Sequence, residues 1–86
     1  MKVDKILSQI ENLNPDRIKK YILDRPDEVF TVKELAKALK RSEGALKYHL
    51  NKLVREGVIG KFKVGNFVVY GHPDAIDKLV SRYEVR

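Results

Sequence analysis

Three side chains with different hydrogen-bonding chemistry stand at helical spacing within the stretch SEGALKYHLNKLVREGVI, residues 42–59. Lys47 carries an ammonium donor, Tyr48 a ring with a hydroxyl, and Asn51 an amide that both donates and accepts. With position 44 they form one stripe of an α-helix, at i, i+3, i+4 and i+7. Such groups can read bases in the major groove of DNA. Lysine donates to guanine, asparagine bonds adenine through two atoms, and tyrosine contacts a thymine methyl or a phosphate.

The opposite face of the same helix is apolar and is expected to be buried. Its members are Leu46, Leu50, Leu53 and Val54. Ser42 is a good N-cap, and Gly57 is expected to stop the helix because glycine adopts the left-handed conformation without steric cost. The predicted helix therefore spans residues 42–56. Its polar face carries Glu43, Gly44, Lys47, Tyr48, Asn51, Lys52 and Arg55.

The first turn of this helix has its own chemistry. Gly44 would let a DNA backbone come close, and the Ser42 end would offer free amide groups to a phosphate. Glu43 argues against DNA, because a carboxylate repels phosphate, although it can accept a hydrogen bond from cytosine N4. The alternative for the whole polar face is an ordinary solvated surface.

The positive charge of the chain is concentrated around this helix. The net charge is +6. Residues 1–30 hold six basic and six acidic side chains, and residues 64–86 hold three of each. Residues 31–63 hold nine basic side chains against three acidic ones, so the whole excess lies there. A local basic field of this kind favours a polyanionic partner.

The elements that position the helix follow from caps, prolines and apolar spacing. Apolar residues at helical spacing predict an N-terminal helix over residues 1–13. Asn14 and Pro15 suit the N-cap and the first position of a second helix. This helix is expected to end at Arg25, because the residue before a proline is disfavoured in the helical conformation. The apolar stripe of this second helix is Ile18, Tyr21 and Ile22.

A third helix is predicted after a short extended piece over residues 28–30. It begins at a capping box, in which Thr31 and Glu34 satisfy each other's backbone amide groups. Its expected buried residues are Val32, Leu35, Ala36 and Leu39. Lys40 and Arg41 are then expected to form the tight turn that leads into the helix predicted over residues 42–56.

The segment VIGKFKVGNFVVYG, residues 58–71, is typical of a β-hairpin with a two-residue turn at Gly65 and Asn66. The resulting register pairs Val64 with Phe67 and Phe62 with Val69. These four apolar residues are expected on the inner face. The expected outer face holds Lys61, Lys63, Val68 and Tyr70. The two lysines could contact DNA, or they could only protect a β edge against aggregation.

The predicted fold class is mainly α with a small β hairpin (α+β). Two helices joined by a tight turn and followed by a hairpin form a helix-turn-helix with a wing. We expect a single domain over residues 1–86, with a core of residues 15–71 and extra N- and C-terminal helices. The C-terminal helix is predicted over residues 73–84, after a cap or loop residue, His72. Its apolar stripe is Ile76, Leu79, Val80 and Tyr83.

The segment LAKALKRSEGALKYHLNKLVREGVI resembles the winged helix-turn-helix of archaeal and bacterial regulators. The similarity is greatest to the arsenic-repressor-like (ArsR) and multiple-antibiotic-resistance-repressor-like (MarR) groups. The matching residues are Leu35, Ala36, Ser42, Ala45, His49, Leu50, Leu53, Gly57, Val58 and Ile59. The resemblance covers about residues 15–71. It implies that the 42–51 face lies in the DNA groove and that the hairpin reaches the flanking backbone or minor groove.

These observations define a candidate DNA-binding surface. Its residues are Lys40, Arg41, Ser42, Glu43, Gly44, Lys47, Tyr48, Asn51, Lys52, Arg55, Lys61, Lys63 and Asn66. The expected partner is double-stranded DNA. The resemblance also implies a homodimer held by the terminal helices, since a lone terminal helix of this length is marginal in water. The alternative is that the terminal helices pack on their own core.

Several other functions are excluded or disfavoured. Cysteine is absent, and His49 and His72 are the histidines, so disulfides and thiolate metal sites are excluded and metal sensing is not expected. His49 beside the apolar stripe is expected to be a half-buried packing residue. No catalytic serine pattern or phosphate-binding glycine loop occurs, so we expect no enzyme, no cofactor and no metal.

No apolar run reaches the ~20 residues of a membrane helix, and the first residues lack the apolar stretch of a secretory signal. We therefore expect a cytoplasmic protein without a membrane partner or an obvious small-molecule effector. The function favoured is a sequence-specific DNA-binding transcriptional regulator, with a recognition helix over 42–56 and a wing over 58–71. The alternatives are a protein-interaction module of a transcription or replication assembly and an architectural DNA binder without sequence preference.

Overall fold

The computed structural model of the chain describes residues 2–4 and 15–84. The elements of residues 15–84, in chain order, are α1 (Pro15–Leu23), β1 (Val29–Phe30), α2 (Val32–Leu39), α3 (Glu43–Arg55), β2 (Gly60–Val64), β3 (Phe67–Gly71) and α4 (Pro73–Glu84). This is the α+β class that the sequence predicts. The helix predicted over residues 1–13 and its neighbour Asn14 fall for the most part outside the described residues.

The capping box at the start of α2 is confirmed. The Thr31 hydroxyl accepts from the Glu34 amide at 3.2 Å, and the Glu34 carboxylate accepts from the Thr31 amide at 3.2 Å. At the other end Lys40 takes the left-handed conformation, with φ 54°, which reverses the chain after α2. The predicted turn thus lies between the end of α2 and the start of α3.

α3 is delimited by its own caps, as the sequence predicts. The Ser42 hydroxyl accepts from the Ala45 amide at 3.3 Å. Beyond the last turn, Gly57 has φ 76°, and the amides of Gly57 and Val58 donate to the carbonyls of Val54 and Leu53. This is the paired hydrogen-bond pattern of a Schellman motif, which needs a residue with positive φ.

One apolar core holds the three helices of the helix-turn-helix region together. Its buried residues are Ile18, Ile22, Phe30, Leu35, Leu39, Leu46, Leu50, Leu53, Ile59 and Tyr70. Each Leu or Ile that is fully buried contributes about 1.5–3 kcal/mol relative to an exposed position. The expected apolar stripes of α1, α2 and α3 all face this core, and Val54 packs half-buried at its margin.

The sheet is antiparallel with strand order β1-β3-β2. The hairpin register is as predicted, with Val64 opposite Phe67 and Phe62 opposite Val69. β1 adds a short pairing to the other edge of β3, where Phe30 lies opposite Tyr70. The sequence predicted residues 28–30 as extended without assigning them a partner.

The predicted faces of the hairpin are right for Lys61, Lys63 and Val69, but wrong for three other residues. Tyr70, expected on the outer face, is 1% exposed in the main core, and Val68 packs half-buried against the same core. Phe67, expected on the inner face, is 60% exposed at the hairpin tip. The reason is that helices cover both faces at the base of the hairpin: α3 covers the Tyr70 side, and α4 covers the side of Phe62.

α4 covers the second face with the first half of its apolar stripe. Ala75 and Ile76 are buried, and the ring of Tyr83 stands edge-on to Phe62 with centroids 5.6 Å apart. His72 caps this helix, because its Nδ1 accepts from the Asp74 amide at 3.0 Å. The stripe predicted for α4 therefore packs on its own chain at Ile76 and, in the last turn, at Tyr83. Among the described residues, no helix has the length and apolar character required to cross a membrane.

Candidate nucleic-acid interface

α3 separates its two faces as the sequence predicts. Leu46, Leu50 and Leu53 are buried under it. The polar side chains point away from the core. Those that are exposed are Glu43, Lys47, Tyr48, Lys52 and Arg55, together with the cap residue Ser42. Tyr48 is 63% exposed, so most of its ring is accessible to a partner.

A cleft of about 550 Å³ lies between the start of α3 and the hairpin. It brings together six of the predicted contact residues: Glu43, Gly44, Lys47, Lys61, Lys63 and Asn66. Thr31 and Val32, at the start of α2, close its third side. Two segments that are far apart in sequence thus present their polar groups to one space.

The electrostatics of this cleft are those of an anion site. Among the described residues that line it, three are lysines and one is a carboxylate, Glu43. The lysines come from both walls, Lys47 from the helix and Lys61 and Lys63 from β2. All three are exposed, so they keep their hydration until a partner replaces it. Such facing cations raise the local concentration of a polyanion.

Gly44 lines this cleft in the first turn of α3. A Cβ atom built at Gly44 would have no other atom within 4 Å, so packing inside the protein does not require a glycine there. Glycine within a helix costs about 1 kcal/mol relative to alanine. The missing side chain leaves the backbone of the first turn open to a neighbouring molecule.

A second cleft, of about 440 Å³, continues this surface along α3. Its lining consists of Tyr48, Asn51, Val54, Arg55 and Lys61. Lys61 therefore borders both clefts. Its ammonium group also stands 5.8 Å from the centre of the Tyr70 ring, within the range of a cation–π contact.

Comparison with known proteins identifies the helix pair beneath these clefts. Residues 30–59 match the family model described as winged helix-turn-helix DNA-binding. Residues 30–59 therefore carry the helix pair of this family, and the β2–β3 hairpin follows directly, as in a winged helix fold. We call α3 the recognition helix and the β2–β3 hairpin the wing, after their positions in that fold; the match itself runs from the end of β1 through α2 and α3 to Ile59 and stops before the hairpin. It does not distinguish the ArsR-like from the MarR-like group. No curated protein and no solved structure gives a significant match to the chain.

The tip of the wing presents both polar and apolar groups. Asn66 is exposed in the turn that follows Gly65. Phe67, next in the chain, borders the larger cleft. Sequence reasoning missed this exposed ring because alternation along the strand placed it with Phe62 and Val69. Its position at the end of the hairpin, beyond the reach of α4, was the signal that could have found it.

Two predicted contact residues are less accessible than the others. Asn51 is half-buried, and its Oδ1 accepts a hydrogen bond from the Tyr70 hydroxyl at 3.2 Å. Arg41 is also half-buried, and its two terminal guanidinium nitrogens are shielded without a hydrogen-bond partner. Lys40 is exposed at the turn of the winged helix-turn-helix, outside both clefts.

His49 lies on the flank of the recognition helix and is half-buried, as predicted. Burial of the ring lowers the pKa of His49, and the nearby charges of Arg41 and Lys52 lower it further. Its imidazole is therefore held in the neutral form. The pKa of Tyr70 is shifted upward instead, because burial disfavours the charged phenolate, and the hydroxyl therefore stays protonated.

Proposed function

We propose that this chain is a cytoplasmic, sequence-specific transcriptional regulator that binds duplex DNA. The recognition helix, residues 42–56, enters the major groove, and the wing, residues 58–71, lies against the flanking backbone or minor groove. The observation that carries the proposal is the larger cleft, in which Lys47 of the helix faces Lys61 and Lys63 of the wing. A family model for DNA-binding domains matches the helix pair that forms one wall of it.

Most of the affinity in this proposal comes from the phosphates. Each lysine that neutralises a phosphate releases a condensed counterion, and this makes binding strongly dependent on salt. The exposed cations available for this role are Lys40, Lys52, Arg55, Lys61 and Lys63. Arg41 adds a guanidinium whose buried nitrogens lack partners. A phosphate that drew Arg41 outward would remove the cost of leaving it unpaired.

Sequence choice in this proposal comes from Lys47, Tyr48 and Asn51 of the recognition helix. Lys47 donates to guanine, and Tyr48 contacts a thymine methyl or a phosphate. Gly44 lets the helix approach closely, while the amide groups after Ser42 are available to a phosphate. Glu43 disfavours phosphate at its own position and accepts from a cytosine amino group, so it restricts where the helix can dock.

The proposed active species is a homodimer. Part of the α4 stripe is used within the chain, but Leu79 and Val80 are half-buried and Tyr83 is 46% exposed. These apolar groups support a second copy packing along the outer part of α4. Two recognition helices would then meet half-sites about 34 Å apart, one turn of DNA.

The test is selection of binding sequences from a random duplex DNA pool with the purified chain at moderate salt. The proposal expects an enriched motif, arranged as an inverted repeat with half-sites about one turn apart. An enriched single half-site would support sequence-specific binding and exclude the homodimer. Binding without any enriched motif would show that the chain is an architectural DNA binder without sequence preference. No binding even at low salt would exclude DNA as the partner and favour the protein-interaction module.

A further inference from the structure

The side chain of Tyr70 connects the wing to the recognition helix. Tyr70 lies on β3, is 1% exposed, and packs its ring in the main core. Its hydroxyl stands 3.2 Å from Oδ1 of Asn51, which lies on the recognition helix nineteen positions earlier in the chain. A buried phenol that reaches a predicted base-reading residue constrains how that residue can present itself.

The hydrogen bond fixes the orientation of the Asn51 amide. The amide is planar, with a carbonyl oxygen on one side and an NH₂ group on the other. Because the oxygen turns inward to accept from Tyr70, the NH₂ group must turn away from Tyr70. Asn51 borders the smaller cleft beside Tyr48 and Arg55, which is where its remaining hydrogen-bonding capacity is available.

Tyr70 is well suited to hold this orientation. Its strand neighbours Phe30 and Lys61 pair with it on both sides of β3, so its backbone cannot shift independently. Burial keeps the phenol protonated, so the hydroxyl remains a donor over the physiological pH range. Removing a partner from such a pair leaves a half-buried amide oxygen unsatisfied, which is costly.

We propose that Tyr70 is a positioning residue that converts Asn51 into a hydrogen-bond donor and thereby selects guanine at one base of each half-site. The inference rests on the proposed function, since it assumes that the recognition helix reads DNA. The bidentate contact of asparagine with adenine requires both the amide oxygen and the amide nitrogen to face the base. With the oxygen turned to Tyr70, only the NH₂ group faces outward.

The chemistry of the base edges decides the preference. In the major groove guanine presents two acceptors, N7 and O6, whereas adenine presents one acceptor and one donor. Cytosine presents a donor, which an NH₂ group cannot bind, and thymine presents a single acceptor, O4, beside its methyl group. An asparagine restricted to donating therefore favours guanine, whereas a freely rotating asparagine favours adenine.

The test measures the affinity of the wild type and of variants for a selected duplex and for its single-base substitutions. Asn51→Ala identifies the base that Asn51 reads, because the preference there disappears. At that base the wild type is expected to favour guanine over adenine. In Tyr70→Phe the ratio of guanine to adenine affinity should fall by about fivefold or more, the size of one base contact. Preferences at the other bases should be unchanged.

A matched control separates this role from general loss of structure. Tyr21→Phe removes a phenol hydroxyl from a half-buried tyrosine on α1, away from both clefts, and should leave every base preference unchanged. A profile for Tyr70→Phe identical to the wild type would overturn the inference. If Tyr70→Phe does not fold, the wild-type preference decides: guanine supports the inference, and adenine overturns it.

The two proposals fail in different ways. If the wild type enriches no motif, the sequence-specific regulator is excluded and the role of Tyr70 with it. If the wild type enriches a motif whose Asn51-dependent base is insensitive to Tyr70→Phe, only the positioning role is excluded.

Discussion

The backbone of Gly60 lies so close to Ile76 that a methyl group at Gly60 would stand 2.7 Å from Ile76 Cγ1. Gly60 is the first residue of β2, and Ile76 is buried in the first turns of α4. This contact fixes how closely α4 lies against the wing. Lys61 follows Gly60 directly, and Lys63 lies two residues further along the same strand.

Gly60→Ala is expected to lower the free energy of unfolding by about 1–3 kcal/mol, the usual cost of overpacking a well-packed core. Chemical denaturation of the purified variant measures it. The same substitution in an Ile76→Gly background should cost less, because removing the whole side chain, including the Cβ atom 2.8 Å away, leaves room for the methyl group. An equal cost in both backgrounds would show that Ile76 is not the obstacle.

Gly44→Ala is expected to have the opposite effect on stability and a harmful effect on binding. The new methyl group meets nothing within 4 Å, and alanine is favoured over glycine in a helix by about 1 kcal/mol, so the variant should be more stable. Its DNA affinity should fall about tenfold, corresponding to about 1.4 kcal/mol of lost close contact. Denaturation and fluorescence anisotropy report the two effects separately. Unchanged affinity would exclude a close approach at the first turn.

Lys61→Ala and Lys63→Ala are expected to weaken binding to all duplex sequences alike. Each lost phosphate contact should reduce the slope of log affinity against log salt by about 0.9. Lys19→Ala removes the same charge from an exposed position on α1 and is the matched control. A loss confined to one sequence would show that the wing lysines read bases instead of the backbone.

Lys47→Ala is expected to reduce specific binding by about 1–3 kcal/mol while affecting nonspecific binding less. The reason is that Lys47 projects from the helix that we propose to enter the major groove, where a lysine discriminates guanine from other bases. Competition between the selected duplex and its single-base variants measures the change. Retention of the wild-type site preference would contradict base reading by Lys47.

His49 is expected to make the protein less stable in mild acid. The unfolded chain protonates a histidine near pH 6.5, whereas burial, Arg41 and Lys52 hold the pKa of folded His49 lower. As pH falls below about 6.5, the unfolded state binds the proton first, so the free energy of unfolding decreases until the folded pKa is passed. Well above pH 6.5, where His49 is neutral in both the folded and the unfolded state, it contributes no pH dependence. The difference between wild type and His49→Gln across this range isolates the effect, and parallel curves would contradict it.

Local signals predicted much of the fold. The capping box of Thr31 and Glu34, the Ser42 cap and the Gly57 stop each depend on a few neighbouring residues, and all are present. The hairpin register could be predicted for the same reason, because the two turn residues Gly65 and Asn66 fix it. The separation of the two faces of α3 came from helical periodicity alone.

The errors concern contacts between distant parts of the chain. The hairpin alternates apolar residues on both faces, and alternation cannot tell which face meets which helix. That depended on α3, which reaches Tyr70, and on α4, whose contact with Gly60 involves residues sixteen positions apart. The bond between Asn51 and Tyr70 likewise joins two elements, and no local pattern indicated that the predicted reading residue would be half-buried.

The central claim is that duplex DNA occupies the surface between the recognition helix and the wing. The most direct measurement is an NMR titration of the isotope-labelled chain with the selected duplex, following each backbone amide. The largest changes are expected at Gly44, Lys47, Lys61 and Lys63, with α1 little affected. Changes centred on α1 or α4, or none at saturating DNA, would contradict the claim.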